Sequence, residues 1–400
     1  MHRKALNFIS FVFLFMSLPT ALAAGQTWQE RIAEAAQKEL RQNGTPSLQI
    51  AIGYKGKIIF EGAYGLSDME NDVDATPKTK YRTASISKWM TATAAMQLVE
   101  RGKLDLDESI RTYCPQFPEK PWPITTRHLL THTSGIRHYA DYEDALTTAS
   151  TDAERADVER KQYQYALGTY TRYTDIVAPL DNFRNDPLMF EPGASWLYTS
   201  FGYRVLGCVL EGAANRSYRT LMEDEVFQQV GMTSTVPDDA WAIIPHRAAG
   251  YRLERGEPLR RADMRDVSEN LPAGGHLTTA ADLITFAQAF YTEQLVSADT
   301  IAIMTQNLSN NPGETEDYTS WRHAIPSRDN YAYGIMSFPN ENELWIGHTG
   351  QQAGASTIVV LVPERGLSIA VLTNLKGWGG YLSFVRTIYS IVEREIAPAD

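Results

Sequence analysis

Cysteine is nearly missing from this chain: Cys114 and Cys208 are the only two in 400 residues. They form no close pair and stand in no Cys/His spacing of the kind that builds a zinc site, so no metal or other cofactor is expected. Positive charge is also scarce. Lys and Arg number 37 against 48 Asp and Glu, and the formal charge of −11 argues against the broad basic surface that a nucleic-acid partner requires. Past the first two dozen residues no stretch approaches the roughly 20 apolar residues of a membrane-spanning helix. There is no Gly-x-Ser-x-Gly, the turn that presents the nucleophile in α/β-hydrolases, and no internal repeat or low-complexity tract.

Hydrophobic residues make up 43% of the chain, enough for one large domain or a two-lobed one. Residues 1–23 read as an export signal: Arg3 and Lys4, an apolar segment over 5–18, then Pro19 and Ala21-Leu22-Ala23 as a small-residue cleavage site. Cleavage after Ala23 would leave residues 24–400 periplasmic or secreted. No cysteine flanks the cut, so neither a lipid anchor nor a stable membrane anchor is expected. Export would permit a disulfide between Cys114 and Cys208. Cys208, however, lies in an apolar helical run, where a free buried thiol is an equal alternative.

The periodicity predicts a helix over 28–42 ended by Asn43-Gly44, then strands over 48–54 and 57–64 joined by Lys55-Gly56. Near the other end, strands are predicted over 331–337, 344–347, 355–362 and 367–373, followed by a helix over 379–394. Helices over about 126–131, 200–214, 217–229 and 279–292 occupy the middle. The fold class is therefore α+β: an antiparallel sheet built from both chain ends, flanked by terminal helices, with an inserted mostly helical lobe. The sheet lobe takes about 28–80 and 330–396, and the helical lobe about 81–329. Residues 139–182 are polar, acidic and tyrosine-rich, and read as a partly helical insertion beside a cleft.

The most telling stretch is Ser85-Ile86-Ser87-Lys88, opening a run over 86–101 that is apolar almost all round and so predicts a buried helix. Helical spacing puts Ser85 and Lys88 on one face, while Ser87 points elsewhere. A serine hydroxyl needs a base to act as a nucleophile, and a lysine desolvated in the first turn of a buried helix has its pKa lowered by burial and by the helix dipole. That pairing points to acyl transfer. Tyr198, in Tyr198-Thr199-Ser200 before an apolar helix, is the candidate proton carrier, with Ser200 beside it. Tyr318-Thr319-Ser320 repeats the tripeptide in a polar stretch and is read as a decoy. Gly347-His348-Thr349-Gly350-Gln351 is the candidate substrate and oxyanion wall, its glycines allowing close approach to the backbone. His132, after Leu129-Leu130 and before a glycine, reads as a structural cap or packing residue.

Taken in order, these motifs resemble the penicillin-recognising serine hydrolases, specifically the class C β-lactamase and D-Ala-D-Ala carboxypeptidase group, over roughly residues 28–394. Three runs are similar in detail to the serine β-lactamase-like proteins of animal mitochondria and their bacterial relatives. They are Ile124–Arg127 with His132–Tyr139, Phe183–Leu188, and Leu197–Tyr203. The resemblance implies a cleft between sheet and helical lobe, with Ser85 as nucleophile, Lys88 and Tyr198 as proton carriers, and His348 in the third motif. The oxyanion donors would be the backbone amides of Ser85 and Gln351. Two positions depart from the family pattern: Ser200 stands where many members have asparagine, and His348 where lysine is commoner. The expectation is thus an exported peptidase or esterase rather than an efficient β-lactamase. The alternatives are a non-catalytic binding or assembly protein, possible as an oligomer, or a penicillin-binding sensor on the same fold.

Overall fold

The computed structural model describes residues 26–396, apart from 140–144, 147–148, 255, 307, 309–327, 339 and 341–342. The expected export signal and the Tyr318 tripeptide lie outside the described residues. So does part of the insertion.

Helix α1 (Trp28–Asn43) starts at Thr27, whose hydroxyl accepts from the Glu30 amide while the Glu30 carboxylate accepts from the Thr27 amide, and stops at Gly44 in the left-handed conformation. Strands β1 (Ser47–Tyr54) and β2 (Lys57–Asp68) follow, joined by Lys55-Gly56, both at positive φ. With β3 (Val73–Asp74), β4 (Tyr331–Ala332), β5 (Ile335–Phe338), β6 (Trp345–Gln352), β7 (Ala355–Val362) and β8 (Leu367–Thr373) they form one sheet in the order β3-β2-β1-β8-β7-β6-β5-β4. The two chain ends meet where β1 pairs antiparallel with β8, from Leu48 opposite Thr373 to Tyr54 opposite Leu367.

Every residue of β7 and β8 is buried because both faces of the sheet are covered. Ile50, Ile52, Ile358, Val360, Ile369 and Val371 pack under α1 and the C-terminal helix α8 (Tyr381–Ile396). The alternate residues, Ala51, Val359, Leu361, Ala370 and Leu372, join the core of the helical region. That region contains α2 (Ser87–Glu100), α3 (Thr126–Leu130), α4 (Asp152–Gly168), α5 (Ser200–Ala214), α6 (Tyr218–Met222) and α7 (Ala280–Tyr291). Among the described residues, no helix is long and apolar enough to cross a membrane.

Two strand expectations are corrected. The run over 331–337 is a tight hairpin, because Tyr333 and Gly334 both take positive φ and turn β4 back on β5. A Cβ at Gly334 would lie 2.8 Å from the Lys88 carbonyl oxygen and 2.7 Å from the Ala92 Cβ, so only glycine fits that turn. The strand expected to stop at Gly347 continues to Gln352, since β7 pairs with it through the whole His348–Gln352 stretch. The helix expected over 217–229 is α6 followed by a π-helical segment, Glu223–Phe227, and a last turn. Cys114 and Cys208 form a disulfide, settling the alternative left open by the sequence.

Candidate active site

Ser85 sits in a one-turn 3-10 helix, Ala84–Ile86, that leads into α2. Ala84 holds positive φ, a conformation non-glycine residues seldom adopt. The turn is pinned from two sides: the Thr83 amide donates to the His276 carbonyl at 2.9 Å, and the Thr357 hydroxyl of β7 donates to the Thr83 carbonyl at 3.0 Å. Ser87 points away from Ser85, with its hydroxyl 2.8 Å from that of Thr83 and 3.2 Å from His276 Nδ1.

Residues 87–98 of α2 are all buried, so the side chain of Lys88 has no solvent to reach. Its Nζ lies 3.0 Å from Ser85 Oγ, 3.2 Å from Ser200 Oγ and 3.0 Å from the Ala273 carbonyl oxygen. Lys88 has 0% relative exposure, and burial drives its pKa well below the ordinary lysine value, with the Arg204 guanidinium adding to the depression. A neutral amine can donate to the Ala273 carbonyl and the Ser200 oxygen and keep its lone pair for the Ser85 proton.

Tyr198 is delivered by the turn before α5. Its ring centroid lies 4.9 Å from Lys88 Nζ, and burial raises its pKa, with Ser85 acting in the opposite sense. The phenol therefore keeps its proton at neutral pH. Ser200, the first residue of α5, completes a four-membered cluster of Ser85, Lys88, Tyr198 and Ser200.

Among the described residues, the edge of β6 beyond Gly347 has no strand partner on the side away from β7, because β5 ends its pairing there. Gln351 lines one cleft with Ser85, Ser200, Arg204, Glu269 and Asn270. Thr349 is half-buried with its hydroxyl against Met336 Sδ at 3.7 Å. His348 is fully buried: Nδ1 donates to the Thr349 carbonyl, Nε2 faces the Tyr331 hydroxyl at 3.4 Å, and its ring centroid is 6.5 Å from that of Tyr198. Burial is the main cause that lowers its pKa to about 3, so the third motif carries no cation near neutral pH.

Four neighbours of the cluster were given no role by the sequence motifs. Arg204 (1% exposed) and Glu269 (5% exposed) make a bidentate ion pair at 3.2 and 3.1 Å on the cleft wall. Arg204 was detectable as the one charge in the run 201–210 of α5. The Ala273 carbonyl that holds Lys88 lies in Pro272-Ala273-Gly274-Gly275, a run that no side-chain motif flags. His138 packs behind the cluster with His132; the packing role expected for His132 matches its fully buried ring, 4.4 Å from that of Tyr198.

The family model described as Beta-lactamase matches residues 30–387. The chain belongs to the Beta-lactamase family. It is 27% identical to the mouse (Mus musculus) mitochondrial serine beta-lactamase-like protein LACTB over 84% of this chain and 75% of that protein. Among solved structures, the octameric penicillin-binding protein homologue from Pyrococcus abyssi superposes with a TM-score of 0.71 at 23% identity, covering 91% of this chain and 77% of the other. The D-amino acid amidase from Ochrobactrum anthropi SV3, solved with L-phenylalanine amide, gives a TM-score of 0.73 at 18% identity over 92% and 99%. At those identities the structural likenesses establish the fold alone: a β-lactamase and penicillin-binding-protein fold of the α+β class.

Proposed function

We propose that this Beta-lactamase family member is an exported serine hydrolase that works through an acyl-enzyme on amide, peptide or ester carbonyls. The observation that carries the reading is the 3.0 Å separation of Ser85 Oγ from the Nζ of a fully buried Lys88. In this account the Lys88 lone pair takes the Ser85 proton as Oγ adds to the substrate carbonyl carbon. The backbone N–H groups of Ser85 and Gln351 hold the oxyanion. Tyr198, protonated at neutral pH, passes its proton to the leaving amine or alcohol as the carbon–heteroatom bond breaks and is reprotonated by the proton held on Lys88. Water then attacks the ester of Ser85, giving its proton back through Tyr198 and Lys88, and the acid departs.

The D-amino acid amidase likeness supports an amide substrate. The uncharged His348 argues against efficient use of β-lactams, whose carboxylate would find no cation in the third motif. Residues 1–23 support export to the periplasm or beyond. A second reading, a non-catalytic assembly protein, draws support from the octameric Pyrococcus abyssi homologue.

Purified protein lacking residues 1–23 should hydrolyse members of a panel of aryl esters, D-amino-acid amides and short peptides. It should hydrolyse a chromogenic cephalosporin poorly, and Ser85→Ala should remove all turnover. Large particles with no turnover on any substrate would favour the assembly reading, and stoichiometric acylation without release would favour a penicillin-binding sensor.

A further inference from the structure

The run Thr131–Tyr139 lies alongside the segment that carries Tyr198. The Leu197 amide donates to the His132 carbonyl at 2.9 Å, and the Thr199 hydroxyl donates to the Arg137 carbonyl at 2.7 Å. Two more bonds come from histidine side chains: the Thr199 amide donates to His132 Nδ1 at 3.1 Å and the Ser200 amide to His138 Nδ1 at 3.3 Å. The two residues after Tyr198 thus have their backbone amides held by imidazoles, one of them 0% exposed and the other 5%.

A ring nitrogen that accepts carries no proton, so neutral His132 has its proton on Nε2. That atom is buried and has no hydrogen-bond partner among the described residues. His132 also holds φ 59°, left-handed backbone that a side chain disfavours. An unpartnered buried N–H and a disfavoured backbone at one residue are both destabilising. Packing alone would be served by phenylalanine, which leaves no orphaned donor in the cage of Tyr198, Tyr203 and Tyr331 around the ring. What phenylalanine lacks is the acceptor for the Thr199 amide.

We propose that His132 and His138 are positioning residues: acting as paired acceptors for the Thr199 and Ser200 amides, they fix the Tyr198 phenol and the Ser200 hydroxyl against Ser85 and Lys88. The proposal rests on the hydrolytic reading of that cluster for its consequence in rate, though not for its geometry. Releasing either amide lets the start of α5 shift, and a misplacement of about 1 Å at reacting groups lowers rate about 100-fold.

The test compares His132→Asn and His138→Asn, which keep an acceptor oxygen where Nδ1 stood, with His132→Phe and His138→Phe, which keep a ring and lose the acceptor. Asparagine also tolerates the left-handed backbone at 132. Hydrogen exchange of the Thr199 and Ser200 amides and the rate at which a fluorophosphonate labels Ser85 are measured on each full-length mature variant, with thermal melts to confirm folding. The phenylalanine variants should exchange faster at those amides and label about 100-fold more slowly, while the asparagine variants stay near wild type. If His132→Phe does not fold, the His138 pair reads the same quantities. Unchanged exchange in the phenylalanine variants, or equal losses in asparagine and phenylalanine variants, would overturn the proposal. If wild type is not labelled at all, the hydrolytic reading falls, and the exchange data still decide whether the histidines hold the segment.

Discussion

Gly350 and Thr83 are in such close approach that a Cβ on the glycine would lie 2.5 Å from the threonine carbonyl oxygen and 2.9 Å from the Ala84 Cβ. This contact brings the turn bearing Ser85 against the strand bearing Gln351, and so sets the distance between the two amides assigned to the oxyanion. Gly350→Ala should push the turn off β6. The expected outcome is a loss of stability of about 1–3 kcal/mol from overpacking, with a fall in Ser85 labelling larger than that stability loss explains. Urea denaturation and fluorophosphonate labelling on one preparation check both.

Tyr198→Phe should lower turnover by about 10²- to 10⁴-fold, the usual contribution of a positioned proton carrier. Tyr318→Phe should leave it almost unchanged. Steady-state kinetics on whichever ester or amide proves best decides, and equal losses would show that the wrong tyrosine has been assigned.

Acid should destabilise the fold through its buried histidines. His276 and His348 have pKa values lowered from 6.5 to about 3 by burial, so between those values the unfolded chain binds protons that the folded chain refuses. Stability is then fully present above about pH 6.5, falls as pH falls, and stops falling from this source near pH 3. Each histidine contributes at most about 1.4 kcal/mol per pH unit across that window. Urea midpoints measured from about pH 7 down to about pH 4 should decline steadily, and a flat profile would contradict the buried neutral state.

Glu269→Gln should be among the most damaging single changes in the cleft wall, because it strands the Arg204 guanidinium in a site with 1% exposure. Breaking a buried pair from one side typically removes about 3–5 kcal/mol. A loss below about 1 kcal/mol by chemical denaturation would mean that water or a neighbour already shares that charge.

Much of this was legible in the residues. Strands β7 and β8 match the expected spans because they are continuous apolar runs bounded by turns, and α5 begins at Ser200 as its apolar pattern requires. Ser85 and Lys88 were readable because helical spacing joins them. The hairpin at Tyr333-Gly334 was hidden inside an apolar run, and β6 was cut short because glycines at 347 and 350 resemble a turn until pairing with β7 overrides them. Two-residue strands such as Tyr81–Arg82 and Val236–Pro237 are too short to show a period. The contacts of His132 and His138 with residues 199 and 200 span more than sixty positions, a distance no local pattern reports.

The most direct test of the central claim is the pH dependence of Ser85 labelling by a fluorophosphonate, with modification mapped by mass spectrometry. A neutral Lys88 amine predicts a rate that rises with pH through a midpoint far below 10.5, is already near its plateau at neutral pH, and is lost in Ser85→Ala. A rate still climbing about tenfold per pH unit towards pH 10 would mean an ordinary, protonated lysine and would contradict the account.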